Sequence, residues 1–282
     1  MAWLLLGYDV ESAEPDSPVT RQFVDTLRRT HGEHGAPATL FLRGQTLERN
    51  VEAIRSTMAD GLFDYGQHTY SHVLFKTLWQ INDEGERIIA GGSLEEIARE
   101  VDRAGTVIRE LLGVEAIGLT TPWGYYRGLG DRPELLAILH GNGIRFVRSW
   151  MRNERDWVPV PLEVQPFFYV AQGYPDILEL PVTGRHDCDW GNHLGFEPGR
   201  FDGVEDYAKY VAGQLDEIAA RDWAFVYNQH DTTTVRWDPG MVVVGRLIER
   251  ARRLGVTVGL YRDYYRARRA AASAMPEASA GP

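Results

Sequence analysis

Short apolar runs alternate with amphipathic stretches of helical period along most of the chain. This alternation limits the fold more than any other feature of the sequence. Strand-like runs lie at 2–8, 38–42, 117–119, 145–147, 177–180, 224–227 and 257–260. Helical patterns fall at 21–30, 47–60, 133–140, 204–220 and 241–254. A further helix is expected after Ser93-Leu94-Glu95-Glu96, which has the form of a capping box, and it carries Ile97, Val101, Val107, Ile108, Leu111 and Leu112 before Gly113. Strand followed by helix, repeated about seven times, requires parallel strands joined by crossover helices. No internal repeat and no Pro/Gly/Ser-rich linker divides the chain. The expected fold class is therefore α/β, with one domain over 1–269 built as a distorted (β/α) barrel. A doubly wound open sheet is the runner-up. In a barrel, chemistry belongs at the C-terminal ends of the strands.

The bulk properties narrow the function. A chain of 282 residues with 44% hydrophobic and 25% charged residues can bury a large core without disulfide staples. Its net charge of −10 argues against a nucleic-acid partner, because phosphate binding needs a basic face. A single cysteine, Cys188, excludes an intramolecular disulfide and suits a reducing compartment. The first apolar run is too short for a membrane span and has no basic residues before it. From this we expect no membrane association and a cytoplasmic protein. The Ala-, Ser- and Pro-rich stretch over 270–282 is expected to be a disordered tail. Oligomeric state is not readable.

Chemistry-bearing residues gather where strands are expected to end. His68 and His72 stand four residues apart in Gly66-Gln67-His68-Thr69-Tyr70-Ser71-His72. On one turn of helix they would share a face and reach one divalent metal. Asp9 and Glu11 follow the first strand, and in an extended segment residues i and i+2 point to the same side. One of these carboxylates is expected to bind the metal and the other to take a proton from water. His230 closes a strand and could protonate a leaving amine, with Asp231 as a candidate to orient it. His186-Asp187-Cys188-Asp189-Trp190 follows another strand and could line a cleft or supply a further ligand. Cys188 itself reads as a small apolar residue.

Taken in order, these residues resemble the polysaccharide deacetylases of carbohydrate esterase family 4, the NodB-homology fold. The matching motifs are the strand ending in Asp9 and Glu11, Ala38-Thr39-Leu40-Phe41-Leu42-Arg43-Gly44, the His68/His72 stretch, Thr121-Pro122-Trp123-Gly124, and the strand ending in His230. The resemblance implies a distorted (β/α)7-type barrel that hydrolyses N-acetyl groups with a divalent metal, often zinc. It implies Glu11, His68 and His72 as metal ligands, Asp9 as general base, His230 as general acid, and the backbone N–H of Trp123 as an oxyanion donor. Three departures mark an outlying branch. Val10 separates the two acids, the acid that would bind the metal is a glutamate, and Thr120 stands where the family has an arginine that pairs with the base. Arg127 and Arg148 are the candidates to replace that arginine.

The leading expectation is thus a metal-dependent hydrolase of non-peptide carbon–nitrogen bonds. Its substrate would be an N-acetylated amino sugar, an oligosaccharide or a related small amide. Pro122, Tyr125, Asp187 and Trp190 are expected to line the substrate cleft, with Tyr126, Trp150 and Trp157 as further aromatic candidates. Two other readings stand beside it. One is a cyclic-amide hydrolase, acting on imides or allantoin, with little or no metal. The other is a non-catalytic carbohydrate-binding protein, suggested by 8 Trp and 13 Tyr.

Overall fold

The computed structural model describes residues 1–12, 14, 18–82, 85–154, 159–190 and 201–274. In chain order the elements are β1 (Trp3–Val10), α1 (Val19–His34), β2 (Ala38–Leu42), α2 (Gly44–Arg49), α3 (Val51–Ser56), β3 (Phe63–Gln67), β4 (Leu78–Asn82) and β5 (Gly85–Ile89). There follow α4 (Leu94–Leu112), β6 (Gly118–Tyr126), α5 (Pro133–Gly141), β7 (Phe146–Arg152), β8 (Phe167–Tyr169), β9 (Tyr174–Glu179) and α6 (Asp187–Trp190). The chain continues through α7 (Val204–Ala220), β10 (Ala224–His230), α8 (Asp231–Trp237), α9 (Val242–Leu254), β11 (Thr257–Gly259) and α10 (Tyr261–Ala274).

The main sheet runs β10-β1-β2-β3-β6-β7-β9-β8, with β11 also paired to β1. All its neighbours are parallel except β8, which lies antiparallel on β9. Among the described residues no ladder joins the β9–β8 end of the sheet to β10. The sheet nevertheless curls strongly. Arg148 of β7 touches Asp9 of β1 and Asn228 of β10, strands far from it along the sheet path.

β1 shows how sequence periodicity builds these layers. Leu4, Leu6, Tyr8 and Val10 face outward and pack with Val24 and Leu27 of α1, Val211 of α7 and Val244 of α9. Leu5 points inward among Phe41, Phe146 and Val226. Gly7 and Asp9 continue this inner row towards the C-terminal end. A strand covered on both faces reads as a continuous apolar run, as the sequence showed. Burying one such leucine is worth about 2 kcal/mol. Tyr261, the first residue of α10, sits in the interior with its ring edge-on to Phe41 at 5.2 Å.

Helix ends follow local chemistry. The Ser93 side chain accepts a hydrogen bond from the Glu96 N–H, so the capping residue acts as its pattern predicts. Gly113 closes α4 with φ 69°, a left-handed conformation that glycine adopts without steric cost. Other segments depart from expectation. The single helix expected over 47–60 is broken into α2, α3 and a 3-10 turn at Thr57–Asp60. β3 and the antiparallel β4–β5 hairpin carry no long apolar run and were not anticipated. α10 continues to Ala274, into the stretch expected from Ala270 to be a disordered tail, and 275–282 lie outside the described residues. Among the described residues no helix is long and apolar enough to cross a membrane.

Candidate active site

The C-terminal ends of β1, β3, β6, β7 and β10 surround a cavity of about 380 Å³. Asp9, Glu11, His68, His72, Trp123, Cys188 and His230 all line it.

His68 and His72 meet here, but not on a helix. They lie in the loop that follows β3, where Thr69 and His72 both have left-handed backbones, with φ of 58° and 73°. Non-glycine residues hold such angles only where surrounding contacts over-determine them. Those contacts are present. The carbonyls of Thr69 and Tyr70 accept from the N–H groups of Gly44 and Gln45, at 2.9 and 3.0 Å. Glu100 of α4 accepts from the Ser71 N–H and hydroxyl, at 2.6 and 2.8 Å. A tight coil therefore achieves the convergence that helical spacing was expected to provide.

One Glu11 oxygen lies 3.3 Å from His68 Nε2 and 3.0 Å from His72 Nε2. The donor atoms of these three residues all lie within 4.8 Å of one another. His68 Nδ1 lies 3.1 Å from the Thr120 carbonyl. When Nδ1 carries the ring proton and donates it to that carbonyl, Nε2 is free to act as a metal ligand. Burial also lowers the pKa of His72, despite its bond to Glu11, and favours its neutral ring. Burial would raise the Glu11 carboxyl, but the bonds from His68 and His72 outweigh it and hold the pKa well below the usual carboxylate range. Two imidazole nitrogens and a carboxylate oxygen converging in this way form a donor set that fits a divalent metal, which would replace the bonds from the histidines to Glu11.

Asp9 lies beside this group, deeper in the barrel. Its partners are the Arg148 guanidinium and the Asn228 amide, the latter at 3.2 Å. Arg148 is fully buried, and its Nε and Nη2 also donate to the Thr120 hydroxyl at 3.1 and 2.9 Å. Thr120 and Arg148 are register partners on β6 and β7. The arginine missing at Thr120 is thus supplied from the adjacent strand, at the same level, and reaches Asp9 across the threonine. Arg127 does not take this part; its guanidinium stacks on the Tyr126 ring. The Glu179 carboxylate fixes the part of β7 beyond Arg148. It accepts from the N–H groups of Ser149 and Trp150, both at 2.8 Å, and from the hydroxyls of Ser149 and Tyr169, both at 2.6 Å.

His230 faces Asp9 with Nε2 3.6 Å from a carboxylate oxygen. Its Nδ1 lies 2.9 Å from Asp187, which also accepts from the His230 N–H at 2.6 Å. Burial would lower the imidazole pKa, but the Asp187 charge reverses this and raises it well above the ordinary value. Asp187, expected at the substrate cleft, is instead turned onto His230. Asp231, expected to orient His230, points elsewhere and accepts from the Ser12 N–H at 3.1 Å and the Thr20 hydroxyl at 3.2 Å. Burial pushes the Asp231 carboxyl up to about 6, with Glu11 adding to the rise. The Cys188 sulfur lies 3.6 Å from His230 Nδ1.

The β6 motif divides its residues between wall and support. Trp123 lines the cavity in a left-handed conformation, with φ 60°. Tyr125 does not reach the cavity, because it is buried beneath the strand and its hydroxyl donates to the Pro122 carbonyl at 2.9 Å. Pro122 therefore serves as an anchor and does not line the cavity. Tyr126 and Trp150 pack edge to face away from the lining. Trp157 and the Trp190 side chain lie outside the described residues. The sequence reading missed Thr121, Met151, Arg152, Arg236 and Trp237, which complete the wall. Asn228 was legible in principle, since it stands two residues before His230 on the same face of β10.

With this geometry in view, the chain can be compared with known proteins. The family model described as Polysaccharide deacetylase matches residues 4–130, a span that carries Asp9, Glu11, His68, His72 and Trp123. Over that span, a little under half of its length, the chain is similar to the polysaccharide deacetylases. Among solved structures it is similar to a Mycobacterium smegmatis protein provisionally classed as a polysaccharide deacetylase, at 18% identity and TM-score 0.66, covering 99% of this chain and 93% of that one. An allantoinase matches at 15% identity and TM-score 0.66, over 95% of this chain and 90% of the other. A family 4 carbohydrate esterase from Streptomyces lividans, solved with acetate, matches at 15% identity and TM-score 0.54, over 92% of each chain. At these identities the likeness speaks for the fold. Comparison with curated proteins gives no match.

Proposed function

We propose that this chain is a metal-dependent amide hydrolase that removes the acetyl group from an N-acetylated amino sugar or a related small amide. The observation that carries this reading is Glu11 held between two imidazole nitrogens beside a separate Asp9–His230 pair. The deacetylase kinship supports it. Glu11, His68 and His72 would hold the cation, with zinc suited to two imidazoles and a carboxylate; when bound it would polarise the amide carbonyl and acidify water.

The remaining work falls to the chain's own side chains. Asp9, held by Arg148 and Asn228, takes a proton from the attacking water. The Trp123 N–H donates to the oxygen that gains charge as the carbonyl carbon becomes tetrahedral. His230 carries a proton near neutral pH because of Asp187, and its Nε2 delivers that proton to the departing nitrogen. Acid and base thus have distinct partners, Asp187 for His230 and Arg148 for Asp9.

The test is metal analysis combined with acetate release from N-acetylglucosamine and its oligomers. Wild-type protein should retain about one zinc per chain and release acetate, whereas His72→Ala should lose both. Full activity in metal-free His68→Ala would overturn the reading. A cavity of about 380 Å³ is also small enough for a cyclic amide. Ring opening of hydantoin or allantoin without acetate release would favour that second substrate class.

A further inference from the structure

The walls of the cavity carry positive charge that the proposed chemistry does not use. Among the described residues the acids lining the cavity are Asp9 and Glu11, and both have cationic or imidazole partners. Arg152 of β7 and Arg236 of α8 also line the cavity. Each guanidinium is backed by a tryptophan of the same wall. Arg152 lies over the Trp123 ring at 5.6 Å and Arg236 over the Trp237 ring at 4.6 Å. This runs against the charge of the chain as a whole, which is −10.

Arg236 decides the matter. Among the described residues it has no carboxylate partner, and its only contact with another group is the face of Trp237. Stacking on a ring holds a guanidinium in place yet leaves its N–H edge in plane and available. That edge matches a carboxylate in bidentate geometry. Arg236 is exposed where it lines the cavity, so a substrate entering there can reach its N–H edge. We infer that Arg236 is a specificity-determining residue that recognises a carboxylate on the substrate, so that this hydrolase acts on small anionic amides in preference to neutral ones. This inference deepens the hydrolase reading and rests on the same cavity.

The test uses matched pairs that differ by one carboxylate: 2-acetamido-2-deoxyglucuronate against N-acetylglucosamine, and hydantoin-5-acetate against 5-methylhydantoin. Binding to the zinc-supplemented protein is measured by calorimetry, and turnover is measured separately. In at least one pair the anionic member should bind about tenfold or more tighter, the scale of a charge-assisted bidentate contact. Arg236→Gln should collapse that ratio towards one through KM and affinity, and Arg236→Lys should keep part of it. Equal binding of both members in both pairs, or an equal loss for both members in Arg236→Gln, would overturn the inference. Anion-selective binding without hydrolysis of any substrate would support the carboxylate site and remove the hydrolase reading. Hydrolysis without charge preference would do the reverse.

Discussion

Arg148 and Asp9 form a fully buried ion pair between strands that are not neighbours in the sheet. The guanidinium crosses the barrel interior, passes the Thr120 hydroxyl, and also reaches the Asn228 side chain. Its fork geometry satisfies three partners together, which a lysine ammonium on a flexible stem cannot reproduce. A buried carboxylate that has lost its cation is costly. We therefore expect Arg148→Ala to destabilise the protein by about 3–5 kcal/mol in urea unfolding. Acetate release should fall about 10²-fold or more as the base loses its setting. Wild-type stability in this variant would show that the pair contributes neither.

Gly7 makes that crossing possible. A Cβ there would stand 2.5 Å from the Tyr261 hydroxyl oxygen and 3.1 Å from Arg148 Nη1. Neither neighbour can retreat far, because both are fully buried. Gly7→Ala should cost about 1–3 kcal/mol by overpacking. Activity should fall beyond the loss of folded protein, since Arg148 is displaced. Thermal melting and specific activity per folded molecule, measured together, check this.

The Asp187–His230 contact sets an expected pH response. Asp187 raises the His230 pKa against the effect of burial, and a proton donor works only below its pKa. Activity should therefore persist into mildly alkaline pH and then decline. In Asp187→Asn the raising charge is gone, so the alkaline decline should move to lower pH, with kcat reduced at neutrality. An unmoved alkaline limb in the pH–rate profile would show that His230 is not the titrating acid.

His31 governs stability on the acid side. It lies between the Tyr8 hydroxyl at 2.7 Å and the Ala36 carbonyl at 2.8 Å, and burial lowers its pKa from 6.5 to about 4. The unfolded chain therefore binds more protons than the folded one between those values, and stability falls as pH drops through the window. The loss should reach about 2 kcal/mol by pH 5. His31→Phe should be less stable than wild type at pH 7 but should lack this contribution to the slope. Parallel curves of unfolding free energy against pH for the two proteins would refute the assignment.

Much of this architecture was readable before folding was considered. The inner and outer rows of β1, the helices α4, α5, α7 and α9 and the strand-end positions of Asp9, Glu11 and His230 all follow from local backbone periods of 2.0 and 3.6 residues. The deacetylase-like motifs named the three residues that gather as a candidate metal set. Tertiary structure decided which side chains face one another across the barrel. Sheet curvature chose Arg148 over Arg127 and turned Asp187 onto His230 in place of Asp231. The coil after β3 brought His68 and His72 together through left-handed angles that no helical spacing encodes. It also buried Tyr125 and Pro122, expected at the substrate, and set Arg152 and Arg236 on the wall. Local patterns specify which way a strand presents its own residues, whereas partners far apart in sequence meet only once the sheet has bent and brought them together.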